Sequence, residues 1–212
     1  PRGGTVERMG TSGSRASDGA AEAADGRGAD VDVATGSGTR VAPAIVGAYL
    51  WIMMILLGAI VLETFMVYPN IFADPPRTLE LGMEFLSVRA PNDFFPPFGF
   101  ASWVLGVAAV VAGWRLPSAR PWLVASVAMI LCEGIASMTL FWPRNTIMFV
   151  EGTGVHSAEY LRQVAREFET LHWLRLVFNA LSAAFVFVGF LRVYRARILA
   201  PRTSDARVIV DA

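Results

Sequence analysis

Four apolar runs, at residues 41–68, 98–114, 122–142 and 171–194, constrain this chain more than anything else in it. Runs of this length read as helices crossing the roughly 30 Å hydrocarbon core of a bilayer; the second is short, and Phe94 and Phe95 are available to extend it. The composition agrees: 54% of residues are hydrophobic and the mean hydropathy is +0.48. The expected fold is an all-α, integral membrane four-helix bundle with two short amphipathic helices on its outer side. At 212 residues there is room for one such bundle and for no second sizeable domain. The partner expected from this pattern is the lipid bilayer, with a homo-oligomer or another membrane protein as further candidates. Net charge is zero, which offers no electrostatic case for nucleic acid. The single cysteine, Cys132, lies in an apolar run and reads as a small hydrophobe.

Residues 1 to about 40 are Gly-, Ala-, Ser-, Asp- and Arg-rich with almost no large apolar residues, so they are expected to form a disordered, solvated tail. No apolar stretch of signal-peptide type occurs there. The first span is expected to close at Pro69. Arg77 to Arg89 reads as an amphipathic surface helix with Leu79, Met83 and Leu86 on one side. Asn92 or Asp93 is positioned to cap the second span, and Arg115 to Pro121 makes a short basic turn. Pro143 is expected to close the third span, followed by a loop with Gly152 and Gly154. His156 to Thr170 reads as a second surface helix, with Tyr160, Leu161, Val164 and Phe168 spaced three and four apart, and Leu171 opens the fourth span. A cytoplasmic tail is expected from residue 196. Arg40, Arg115, Arg120 and the cluster Arg192, Arg195, Arg197 and Arg202 fall on one side without nearby acids, which points to both termini being cytoplasmic in the cell membrane.

The few polar residues in these runs gather at the outer end. Glu63 lies about five residues before the end of the first run, hence roughly 7 Å below the surface. His172 and Arg175 lie at a similar depth in the fourth run, three apart and therefore on one helix face. Asn145 stands at the mouth of the third run, and Glu133 lies deeper in it beside Gly134. An ionisable residue within a membrane span is costly unless it is paired or faces a polar cavity, so these positions are the candidate site. Each also has a purely structural reading. Glu63 and Arg175 can be a packing ion pair, His172 an interfacial histidine bonded to a carbonyl, and Asn145 a cap. Glu133 can stand protonated in lipid.

Tyr68, Trp142 and Trp173 fit an interfacial aromatic belt. The scattered methionines fit bundle filler better than copper ligands. His172, Glu63 and Glu133 form a candidate imidazole–carboxylate metal set. With only two histidines, His156 and His172, and His156 expected outside the membrane, bis-histidine haem ligation is not favoured. The chain has no Gly-rich phosphate loop, nucleotide fingerprint or serine nucleophile elbow.

Three stretches together carry a resemblance: Glu63-Thr64-Phe65-Met66-Val67-Tyr68-Pro69, Thr139-Leu140-Phe141-Trp142-Pro143-Arg144-Asn145, and Phe168-Glu169-Thr170-Leu171-His172-Trp173-Leu174-Arg175. Over residues 42 to 195 the chain resembles the anthrone oxygenase-like family of small four-helix integral membrane proteins. The resemblance implies an oxidoreductase that uses dioxygen on a hydrophobic, phenolic or polyketide-like molecule without a conventional organic cofactor. It places Glu63, Asn145, His172 and Arg175 as the catalytic candidates, with His172 abstracting a proton, Glu63 balancing it, and Arg175 and Asn145 stabilising an oxyanion. The long amino-terminal tail and the long loops after the first and third spans depart from simple members. The alternative is a non-enzymatic membrane protein, a ligand- or ion-binding or accessory subunit, docking through its outer helices.

Overall fold

The computed structural model describes residues 41–196. The tail expected before residue 41, and the tail expected from residue 196 apart from Ala196 itself, lie outside the described residues, Arg40, Arg197 and Arg202 among them. The described residues form helices joined by short turns, with no strand among them. The five helices are α1 (Val41–Ile71), α2 (Arg77–Phe85), α3 (Pro91–Gly113), α4 (Arg120–Val155) and α5 (Ala158–Tyr194). All but α2 are long and apolar enough to cross a membrane, and their apolar outer surfaces, with Trp51, Phe100, Val111 and Phe187 exposed, suit a lipid environment.

Two expected helix ends are not ends. α1 continues through Pro69 to Ile71, and α4 through Pro143 to Val155. The reason is the same in both. A proline clashes with the carbonyl four residues back. Ahead of each proline the helix widens into a π turn, at Glu63–Val67 and at Ser137–Phe141, which gives the ring room. The Tyr68 N–H donates to the Glu63 carbonyl, and the Trp142 N–H to that of Ser137. The side chain of the residue after each proline folds back onto the helix: Asn70 Nδ2 donates to Met66 O at 2.6 Å and Arg144 Nη1 to Leu140 O at 2.8 Å. A third π turn, Ile147–Glu151, ends at Gly152, whose φ of +51° lies in the left-handed region that glycine adopts freely.

The surface helix expected at His156 to Thr170 and the fourth span are one helix, α5. At 1.5 Å per residue its 37 residues run about 55 Å, well beyond a bilayer core. Ser157 caps it, its Oγ accepting from the Tyr160 N–H. α3 begins at Pro91, earlier than expected. Its cap residue is Ala90, and Asp93 accepts from the Ala90 N–H at 2.9 Å. Pro96 and Pro97 sit within this helix, so the carbonyls of Asn92 and Asp93 have no helical N–H to accept from.

Packing relies on small residues and interlocking side chains. Leu123, fully buried, sits between Gly113 of α3 and Gly189 of α5; a Cβ on either glycine would come within 2.5 or 2.6 Å of it. Gly106 admits the Tyr49 ring, and Gly134 admits Trp103. Mid-bundle, Tyr49, Ser126 and Ser182 form a buried hydrogen-bonded knot joining α1, α4 and α5: Tyr49 Oη to Ser126 Oγ is 2.9 Å and Ser126 Oγ to Ser182 O is 2.8 Å. Apolar packing around Leu56, Leu123 and Ala183 lies toward the termini of α1 and α5, and a second apolar cluster around Phe141 and Phe168 toward the opposite end. The charged residues lie between the two.

Candidate functional site

The buried stripe of α5 runs Phe168, His172, Arg175, Asn179, Ser182, Val186, Gly189 and Val193, alternating steps of four and three. One helix face therefore carries His172 and Arg175 inward and continues as a polar line to the serine knot. The π turn of α1 carries Glu63 to meet them. Its Oε2 lies 4.0 Å from His172 Nε2 and 4.0 Å from Arg175 Nη1. Glu133 of α4 makes the closer contact: Arg175 Nε donates to Glu133 Oε1 at 2.9 Å, and Ser137 Oγ donates to the same oxygen at 2.8 Å. Both bonds use Oε1 and leave Oε2 to other partners. The Arg175 guanidinium is sandwiched between the rings of Phe95 and Phe141, at 5.2 and 5.1 Å. Asn179 Nδ2 donates to the Arg175 carbonyl at 3.0 Å.

Three of the predicted positions thus converge, with Glu133 as the fourth member in place of Asn145. His172, Glu63 and Arg175 are 1%, 6% and 8% exposed. Two carboxylates face one guanidinium, so a neutral cluster carries one further proton, on Glu63 or on His172. Glu63 Oε2 and both ring nitrogens of His172 are buried without a hydrogen-bond partner. Such atoms are uncommon in native proteins and mark a place where water or a ligand belongs.

Beside the cluster lies a cavity of about 260 Å³, the chamber. Glu133, Ser137, Arg175 and Asn179 give it one polar side, and Phe95, Trp103 and Phe141 give it aromatic walls. A larger cavity of about 550 Å³, the vestibule, lies beneath α2 and is lined by Gly82, Met83 and Leu86. Tyr68, Pro91, Asn92, Pro96, Trp142 and Asn145 line both cavities and form the neck between them. Asn145 therefore stands at this neck, away from the ion cluster. α2 is held over the vestibule by buried Leu79, by Gly82 against Ile71, and by Thr153 Oγ1 donating to Glu80 Oε1 at 3.2 Å.

His172 lines neither cavity; it faces a separate pocket on the far side of Tyr68. Glu133, in contrast, lines the chamber. Tyr68 is not a belt residue: it is 6% exposed, with its ring centroid 4.6 Å from that of His172. Trp142 and Trp173, at about half exposure, do sit on the outer surface. The candidate metal set does not assemble. Among the described residues no three His, Cys, Asp or Glu side chains are grouped to hold a metal ion, and Glu133 Oε1 is taken by Arg175 and Ser137. His156 pairs instead with Glu151 beyond the mouth of the bundle.

Sequence reasoning missed Tyr68, Ser137 and Asn179. Asn179 was signalled by the three-and-four spacing that extends from His172 and Arg175. Tyr68 stands five residues after Glu63, a full π turn, which a 3.6-residue period does not register. Comparisons with protein-family models, curated proteins and solved structures find no match.

Proposed function

We propose that the chain is a membrane oxidoreductase that uses dioxygen to convert an activated methylene of a hydrophobic phenolic ring system into a carbonyl. The observation that carries this reading is a charged, hydrogen-bonded wall, Arg175 with Glu133, on one side of a chamber whose other walls are largely aromatic and aliphatic. A planar ring fits between Phe95, Trp103 and Phe141, and the rest of an extended molecule fits through the neck into the vestibule. The resemblance to anthrone oxygenase-like proteins points the same way.

In this scheme the Glu133 carboxylate takes a proton from the methylene carbon. The electron pair delocalises onto the ring oxygen, where Arg175 stabilises it and the Asn145 amide at the neck adds a donor. The carbanion gives its electrons to dioxygen and forms a C–O bond. The resulting peroxide anion takes the proton back from Glu133. The hydroperoxide then loses its remaining C–H proton and its terminal hydroxide as water, leaving the ketone. The balance is R2CH2 + O2 → R2C=O + H2O, with no further oxidant or reductant. Glu63 and His172 hold the cluster's additional proton one layer behind and act as positioning residues. Both termini are placed on the cytoplasmic side, so that the cluster faces outward.

The test is turnover of anthrone by the protein in lipid nanodiscs under 18O2. The expected result is one labelled oxygen in the ketone and one in water, with Glu133→Gln slowing turnover at least about 100-fold, the range expected for a lost acid–base group. Saturable binding of anthrone without oxygen uptake would replace the enzyme with a ligand-binding membrane protein. Arg175 favours that second reading in one respect, since its guanidinium is already held by Glu133 and two rings.

A further inference from the structure

A third pocket, of about 200 Å³, lies on the side of Tyr68 away from the chamber. Its walls include Thr64, Glu169, His172 and Trp173. Tyr68 alone among the lining residues borders all three cavities, so its ring is the partition between them. The buried end of this pocket is His172, and its rim carries Glu169, which is exposed, and Thr64, which is half-buried. Three buried polar atoms without a hydrogen-bond partner lie at or just behind its inner end: Nδ1 and Nε2 of His172, whose ring faces the Ile60 carbonyl, and Glu63 Oε2, behind the lining at 4.0 Å from Nε2. Leaving such atoms unpaired costs about 1–3 kcal/mol each. A pocket of this size has room for several water molecules, each able to supply two to four hydrogen bonds, and Thr64, Glu169 and His172 give it polar groups to hold them.

We propose that this pocket is a water port: water within it bonds His172 and reaches Glu63, connecting the buried cluster to the outer aqueous face by a route that bypasses the chamber. The charged groups along the route are Glu169 and Arg175 on α5, Glu63 on α1 and, across Arg175, Glu133 on α4. Phe65 and Trp173, an exposed edge-to-face pair with centroids 5.5 Å apart, form the apolar part of the pocket's wall, and Glu169 its polar side. Such an arrangement allows the cluster to exchange protons with water while a ligand fills the chamber. Only that use of the route rests on the function proposed above; the route itself does not.

The experiment is hydrogen–deuterium exchange at the imidazole C2 position, read by mass spectrometry on the full chain in nanodiscs. The two histidines make it unambiguous. His156, a quarter exposed or less at its side chain, is the internal reference. His172 is expected to exchange within about ten-fold of His156 although it is 1% exposed. Thr64→Leu, which fills the port, slows His172 at least about ten-fold, whereas Gly99→Leu, which fills the chamber, leaves it unchanged. No exchange at His172 in the unmodified chain overturns the proposal, and that result stands even if the Thr64 variant does not fold. Slowing by Gly99→Leu, or none by Thr64→Leu, also overturns it. No ligand or oxygen is present in this assay, so its failure is distinct from failure of the proposed reaction.

Discussion

Arg175 is the residue on which the cluster depends. It is the one cation between Glu63 and Glu133, and its burial leaves little water to replace it. Removing one partner of a buried pair exposes the full desolvation cost of the other, about 3–5 kcal/mol, whereas removing both is far milder. Arg175→Met is therefore expected to destabilise the bundle by about that amount, and adding Glu133→Leu to recover part of the loss. Equilibrium unfolding in mixed micelles measures both; a neutral Arg175→Met would show that the guanidinium is not the cluster's counter-ion. Glu63, His172 and Arg175 were legible in the sequence because a charge in an apolar run stands out and because His172 and Arg175 share a helix face. The bond from Arg175 to Glu133 was not legible. It spans two helices 42 residues apart, and nothing local in the sequence sets their rotation. Tyr68 was misjudged for a related reason: an aromatic at a span's end looks the same in sequence whether it faces lipid or the core.

At the scale of the element, prolines are the instructive case. Pro69 and Pro143 read as helix stops by the ordinary rule. The rule fails because each follows a π turn that gives the ring room, and the next side chain, Asn70 or Arg144, donates back to the carbonyl four residues before it. A widened turn leaves no mark in hydrophobic periodicity. These turns also aim the site, since Glu63 opens the first and Ser137, which bonds Glu133, opens the second. Between elements, the tightest fit is Leu123 against Gly113 and Gly189. Gly189→Ala is expected to cost about 1–3 kcal/mol by overpacking, and clearly less when Leu123→Ala is already present. Thermal unfolding of the two single variants and the double variant checks this; equal costs in both backgrounds would mean that the α4–α5 contact is not the one described.

At the scale of the whole molecule, four spans enclose two joined cavities at one end, and a polar cluster stands between the chamber and a third pocket. The bundle and its membrane character followed from the length and apolarity of the runs. The cavities did not, because empty space depends on how side chains from four helices fail to meet, and no single run encodes it. The neck shows the difficulty: Asn92 and Asn145 read individually as caps, yet together they line the passage between chamber and vestibule. Gly99 offers the cleanest probe of this arrangement. It lines the chamber, and a Cβ there would meet nothing within 4 Å, so the glycine has open space into which Gly99→Leu introduces bulk. Trp103 and Trp142, in the chamber wall, report occupancy by their fluorescence. The most direct measurement is a fluorescence titration of the unmodified chain and of Gly99→Leu with anthrone in nanodiscs. Saturable quenching that Gly99→Leu weakens at least about ten-fold, with thermal stability unchanged, is the expected result. Equal affinity in the two proteins, or no saturable binding in either, would contradict the chamber as a ligand site.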